Sequence, residues 1–154
     1  TRAHMRSDVH RYFFASCFAR ARHCSPKLAD FPPEFLPNHG NVFAETVPFV
    51  DRFRVQVAGE PSSTVVAHIA KDGHYYIHPD PSQCRSLTAR EVARLQTFPD
   101  NYFFEGSRTE QYAQIGNAVP PWLARQIAEV VVKFLDAACW PESPRRLPGL
   151  VSIP

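Results

Sequence analysis

Proline limits this chain more than any other residue: 15 of them stand in 154 positions, about twice the usual share of roughly 5%. Each removes a backbone donor, fixes φ and pushes the residue before it out of helical space, so regular elements must be few and the connections between them long. Pro26, Pro32, Pro33, Pro37 and Pro48 crowd into residues 24–50, which reads as an ordered but irregular loop. With 44% apolar side chains the chain is still long enough for one domain with a core of its own.

Around that loop the pattern predicts a few elements. Ser7 is a candidate N-cap, and Val9, Tyr12, Phe13, Ser16, Cys17 and Arg20 recur at helical spacing, giving a helix over residues 8–22. Arg52 to Val57 alternates, with Phe53, Val55 and Val57 on one face and Arg52, Arg54 and Gln56 on the other, as in a half-buried strand. A turn at Gly59-Glu60-Pro61, a β-rich run from Ser63 to Ile69, a turn at Asp72-Gly73 and a third run, His74 to Ile77, complete a small, mostly antiparallel sheet. Thr88 with Glu91 is a capping box that opens a helix over 88–97, halted near Phe98-Pro99. Ser107 with Glu110 repeats the device for a short helix that Gly116 can end in a left-handed conformation. Pro120-Pro121 suits the first turn of a last helix, whose buried stripe is Leu123, Ile127, Val130, Val131, Phe134 and Leu135. The tail from Pro141 ends the fold. The expected class is α+β, a small, mostly antiparallel β-sheet with flanking helices.

The formal charge of +2 hides an asymmetry, because Arg2, Arg6, Arg11, Arg20, Arg22 and Lys27 face only Asp8 within residues 1–27, and the remainder is net acidic. A basic end interleaved with aromatic residues suits nucleic acid, although a solvated helix face has the same composition. Cys17, Cys24, Cys84 and Cys139 are scattered without a C-x-x-C pair, so neither a disulfide framework nor a zinc ribbon is expected, and a reducing cytoplasm fits best. His74 and His78 lack an evident third ligand, which leaves them as polar strand positions. No apolar run approaches the ~20 residues that a membrane span needs.

Two strings carry most of the information: Arg85-Ser-Leu-Thr-Ala-Arg-Glu-Val-Ala-Arg-Leu-Gln-Thr-Phe-Pro-Asp100, and Gln111-Tyr-Ala-Gln-Ile-Gly-Asn-Ala-Val-Pro-Pro121. In order and separation they resemble the last two motifs of the DNA (cytosine-5)-methyltransferase family. The resemblance implies the C-terminal part of an α/β, Rossmann-like enzyme that moves a methyl group from S-adenosyl-L-methionine to carbon 5 of cytosine in duplex DNA. The target base must leave the stack first, since its ring is unreachable inside the helix.

Carried over residue by residue, Asn117, Ala118 and Val119 would touch S-adenosylmethionine, through the Asn117 side chain and through backbone groups. Pro61 to Gly73 resembles the segment where the family sets a threonine against the DNA backbone, so Thr64 would bond a phosphate, with His68 and Lys71 in or near the recognition loop. Gly73 stands alone where the family has a glycine run. Arg52 and Arg54 could add phosphate contacts, or simply face solvent. Arg85, Arg90 and Glu91 read as caps and internal ion pairs, and Arg94 as scaffold.

The same resemblance divides the chain into a variable target-recognition region (1–59), a DNA-reading segment with its scaffold helix (60–106), a cofactor-side loop and helix that return to the catalytic domain (107–139) and a Pro-rich tail (140–154). The family's Gly-rich cofactor loop, Pro-Cys nucleophile and Glu-Asn-Val triplet do not occur in these 154 residues. No catalytic residue is therefore expected here. The chain is expected to read duplex DNA and close the cofactor site for an N-terminal catalytic domain or subunit, and to be inactive alone, without metal or membrane. The alternatives are a non-enzymatic DNA-binding module and a protein-interaction domain derived from the same family.

Overall fold

A computed structural model describes residues 2–37 and 51–137. Pro48, Cys139 and the tail from Pro141 lie outside the described residues. Four α-helices are described, α1 (Arg6–Arg22), α2 (Ala89–Leu95), α3 (Arg108–Asn117) and α4 (Pro121–Ala137), with 3-10 turns at Leu28–Asp30, Pro33–Phe35 and Ala67–Ala70. Residues up to Pro120 belong to one compact unit, and α4 belongs to a second.

The small antiparallel sheet is not formed, and the α+β expectation is corrected on that point. The described residues hold no β-strand, only the isolated bridges Val55–Ile77 (parallel) and Ile77–Ser86 (antiparallel). Backbone pairing is confined to short stretches around Arg54, Gln56, Ile77 and Leu87, and side chains occupy neighbouring groups that a longer ladder would have paired. The Val55 amide donates to Ser25 Oγ at 2.9 Å, and Gln56 Nε2 donates to the Tyr75 carbonyl at 2.7 Å. The Tyr76 hydroxyl accepts from the Val66 amide at 3.1 Å and donates to the Thr64 carbonyl at 3.0 Å. Gln56, expected on an outer face, is therefore buried, and the run Ser63 to Ile69 ends in a 3-10 turn instead of a strand.

The two capping boxes are present as the sequence implies. Thr88 and Glu91 exchange bonds at the start of α2, and Ser107 and Glu110 do so at α3. Helix α1 starts from Met5 with no side-chain cap, so Ser7 does not serve. Its buried face is Asp8, Tyr12, Ala15, Ser16 and Ala19, and Asp8 is tolerated there because Arg11 Nη1 donates to it at 2.8 Å. Phe13, by contrast, is exposed.

Two apolar clusters hold the first unit together. Tyr12, Ala15, Ala19, Leu28, Phe31, Phe53, Val55 and Ile77 pack the proline-rich segment onto α1. Val65, Ile69, Tyr76, Leu87, Val92, Phe104, Tyr112 and Ile115 join the Ala67–Ala70 turn to α2 and α3.

Two glycines are demanded by geometry. Gly73 has φ +78°, and a Cβ there would fall 2.8 Å from Ser86 Cβ. Gly116 does not end its helix in a left-handed conformation: it lies inside α3, and the extended Ala118 (φ −77°, ψ 144°) follows as the cap. Its missing Cβ serves packing, since that atom would stand 2.7 Å from the Val66 carbonyl oxygen and 2.9 Å from Ala67 Cα. Helix α4, described by itself, carries Leu123, Ile127, Val130, Val131, Phe134 and Leu135 as an apolar set, all of it exposed, so the buried stripe expected from sequence is not buried in this chain.

Candidate DNA-reading cleft and cofactor-side bend

Three of the residues singled out for DNA contact come together. Arg54, Thr64 and His68 line one cleft of about 230 Å³ with Ser63, Val66, Tyr75 and Tyr76. The cleft exists because Tyr76 ties both ends of the Thr64–Val66 stretch while Gln56 accepts from the Ser63 amide at 3.0 Å, which fixes an otherwise irregular backbone. Thr64 and His68 are exposed, and Arg54 forms an ion pair with Asp51. A guanidinium, a hydroxyl and an imidazole along an aromatic wall suit a phosphate or sugar edge, which positions a duplex without reading its sequence.

Lys71 and Arg52 are not among the residues that line the cleft. Lys71 is exposed and follows the Ala67–Ala70 turn as its cap, with its amide bonded to the His68 carbonyl at 2.9 Å. Arg52 is half-buried at the far end of the Arg52–Arg54 stretch.

The scaffold behind the cleft is built from ion pairs, as the sequence implied. Arg85 forks onto Glu91 through Nη1 (2.7 Å) and Nη2 (2.8 Å), and Glu91 Oε2 also accepts from the Thr88 amide at 2.7 Å. Arg90 donates to the Tyr102 carbonyl at 2.8 Å and stacks over Phe104, while Arg94 pairs with Asp100 at 2.7 Å. The Arg85 fork, with the Thr88 amide, draws the Glu91 carboxyl down to about 2. Burial pushes His74 below the usual imidazole range, against the Asp72 carboxylate 3.8 Å away; its Nδ1 faces the Tyr12 hydroxyl at 2.8 Å. His78 Nδ1 accepts from the Asp80 amide at 3.1 Å, and the described residues contain no cluster able to hold a metal ion.

Both shifts act in the same direction. A group whose folded value is depressed stabilises the fold above its unfolded value and stops doing so as pH falls through the folded one. The melting temperature is therefore expected to fall in two stages on acidification, first below about 6.5 as His74, together with His4 and His78, which burial also depresses, is forced to charge, then from about 4.5 toward 2 as Glu91 is neutralised. Glu91→Gln is expected to make the second stage shallower, leaving the part that Asp80, Asp100 and Glu110 contribute, and to cost about 1 kcal/mol at neutral pH, the half-exposed setting holding the figure low. A melting temperature of the parent chain that stays flat between pH 4.5 and 3 would contradict the Glu91 assignment.

At the other end of the same unit stands the Asn117 bend. Asn117 is the last residue of α3 and is exposed; Ala118 is half-buried, and Val119 is 59% exposed. Beside it lies an open hollow lined by Glu105, Gly106, Glu110, Ala113, Gln114 and Asn117. Gln114 Nε2 donates to the Glu105 carbonyl at 2.9 Å and Gln111 Nε2 to those of Phe104 and Gly106, so the 104–106 loop is tied to α3. Of the three candidate cofactor residues only Asn117 borders this hollow.

Sequence reasoning overlooked Gln56, Tyr75 and Tyr76 as cleft builders. The adjacent tyrosines were visible as a β-rich run; the cross-bonding of Gln56 left no local signal.

Residues 36–133, which contain the cleft, the Arg85–Glu91 scaffold and the Asn117 bend, match the C-5 cytosine-specific DNA methylase family. The chain belongs to that family. Among curated members it is 60% identical over 104 residues to the type II methyltransferase M.Bpa9945I of Bacillus paralicheniformis, covering 68% of this chain and 22% of that protein. It is 45% identical over 98 residues to type II methyltransferase M.AgeI of Thalassovita gelatinovora, covering 64% of the chain and 20% of the relative. Over 78 residues it is 51% identical to the DNA (cytosine-5-)-methyltransferase M.ApeKI of Aeropyrum pernix, covering 51% of the chain and 16% of the relative. The chain thus spans about a fifth of the length of the methylases it matches. No solved structure matches it. No helix among the described residues is long and apolar enough to cross a membrane.

Proposed function

We propose that these residues are the DNA-recognition and cofactor-closing part of a cytosine-5 DNA methyltransferase. The whole enzyme would carry a methyl group from S-adenosylmethionine to carbon 5 of an extruded cytosine in duplex DNA. The observation that carries this reading is the exposure of the Asn117 bend: the most family-like string of the chain ends at the surface, with Asn117 and Val119 open.

The residues present fit one wall of a nucleoside site. Asn117 brings an amide donor and acceptor together, and the extended Ala118 and the Val119 that follows it add backbone polar groups of their own. That wall holds and orients; the chemistry supplied by the cofactor is transfer of its methyl group. The remaining walls and the nucleophile belong, on this proposal, to the catalytic polypeptide represented by the unmatched length of the relatives. The apolar set on α4 is suited to pack against it.

On the DNA side, Arg54, Thr64 and His68 in the cleft, with Lys71 and Arg52 outside it, would meet the sugar-phosphate backbone near the target base. Titration of the 154-residue chain with a fluorescent duplex at several salt concentrations tests this. Binding is expected to weaken steeply with salt, and Arg54→Ala to lower the slope of log K against log salt by about 1. No duplex binding at low salt, or an Arg54→Ala slope equal to that of the parent chain, would count against it.

A further inference from the structure

We infer that Arg2 is a positioning residue for the DNA-contacting turn, an inference that rests on the DNA-side reading above. Arg2 is distant in sequence from both strings that carry the family resemblance, yet its guanidinium joins the end of the Ala67–Ala70 turn to Tyr112 of the second string. Nη2 donates to the Ile69 carbonyl at 2.5 Å, and Nη1 donates to those of Lys71 at 2.6 Å and Ala70 at 3.4 Å. The same guanidinium lies over the Tyr112 ring, 4.5 Å from its centroid.

Ala67–Ala70 is a single 3-10 turn, whose last carbonyls have no partner within the element. Arg2 supplies donors to three consecutive carbonyls at that end, and the planar fork allows it to stack on an aromatic face at the same time. Tyr112 belongs to α3, and its hydroxyl is itself fixed on the Leu87 carbonyl at 2.6 Å. On the opposite side Gly116 lets α3 approach the Val66–Ala67 backbone. The turn is therefore clamped onto α3 at both ends, by a glycine at its start and by Arg2 at its finish. His68 stands within the turn and Lys71 caps it, so the clamp sets where both are presented. On this inference the effect of Arg2 on DNA runs through the turn.

The test compares Arg2→Ala and Arg2→Lys with the parent 154-residue chain in two measurements. The first is amide exchange at Ile69 and Lys71, whose protons bond the Val66 and His68 carbonyls, with Val92 in α2 and Gln96 at its C-terminal cap as internal controls of folding. The second is duplex affinity as a function of salt. Arg2→Ala is expected to speed exchange at Ile69 and Lys71 about tenfold over the controls and to weaken DNA binding by about tenfold with an unchanged salt slope, because misplacement, not a lost phosphate contact, is the cause. Arg2→Lys keeps the charge but cannot fork and stack, and is expected to fail nearly as badly. Lys71→Ala, by contrast, should lower the slope by about 1.

Unchanged exchange in Arg2→Ala overturns the inference, and so does a slope that falls by about 1, which would make Arg2 a phosphate contact in its own right. If the parent chain binds no duplex, the DNA-side reading falls, and the exchange measurement alone then decides whether Arg2 holds the turn.

Discussion

Gly116→Ala is expected to destabilise the chain by about 1–3 kcal/mol, and Gly116→Val by more, although the position is helical. In an open helix the same replacement would gain about 1 kcal/mol. Here the new Cβ would meet the Val66 carbonyl oxygen at 2.7 Å and Ala67 Cα and the Val66 carbonyl carbon at 2.9 Å. These are backbone atoms, so relief requires the Ala67–Ala70 turn and α3 to separate, and overpacking of that kind typically costs 1–3 kcal/mol or more. The pair cannot drift apart freely. Arg2 holds the far end of the turn, and Gln96 Nε2 donates to the Ile115 carbonyl at 3.2 Å from the α2 side. Separation would also disturb Asn117, the next residue, so the cofactor-side bend is expected to lose its shape together with the DNA-side turn. Urea unfolding of the parent and variant chains measures the effect: a lower midpoint with an unchanged slope is expected. A midpoint equal to or above that of the parent would show that the close approach is not a constraint.

What could be read in the sequence follows the range of the forces involved. Both capping boxes were legible because Thr88 with Glu91, and Ser107 with Glu110, act over three residues. The Arg85–Glu91 scaffold was legible for a similar reason, its partners being six residues apart. The sheet was misread. Strict alternation from Arg52 to Val57 places Phe53 and Val55 inward as expected, but whether a ladder forms depends on what pairs with the backbone, and Ser25, Gln56 and Tyr76 reach those groups from elsewhere. At Gly116 the sequence shows that a Cβ is absent, while only packing shows whether the reason is φ or a neighbour. Arg2 left no signal, because its partners lie 67 to 69 residues away. Of the candidate site, Thr64 and His68 share a stretch that resembles the family and Arg54 stands out only by strand alternation, so neither their meeting in one cleft nor the separation of Lys71 and Arg52 from it is legible in the sequence.

The methyl-transfer step carries the largest expected effect of all. Enzymes accelerate such chemistry by at least about 10⁶-fold, and on the proposal above the means for it lie in another polypeptide, since these 154 residues contain no Pro-Cys dipeptide and no Glu-Asn-Val triplet. What they do contain is a surface-exposed Asn117 bend and a helix, α4, whose apolar residues are exposed. On the proposal above, each would face the roughly four fifths of a relative such as M.Bpa9945I that the chain does not cover. Once that polypeptide is supplied, Asn117→Ala is expected to raise KM for S-adenosylmethionine about tenfold by removing one amide pair, while leaving duplex affinity near that of the parent.

Incorporation of labelled methyl groups from S-adenosylmethionine into duplex DNA is the most direct measurement, made with the 154-residue chain alone and again with a polypeptide bearing the Gly-rich loop, the Pro-Cys nucleophile and the Glu-Asn-Val triplet. No label above background alone, and turnover when the two are mixed, is the expected result. Label entering DNA with the chain alone, or none entering with a folded partner of verified sequence, would contradict the division of labour proposed here.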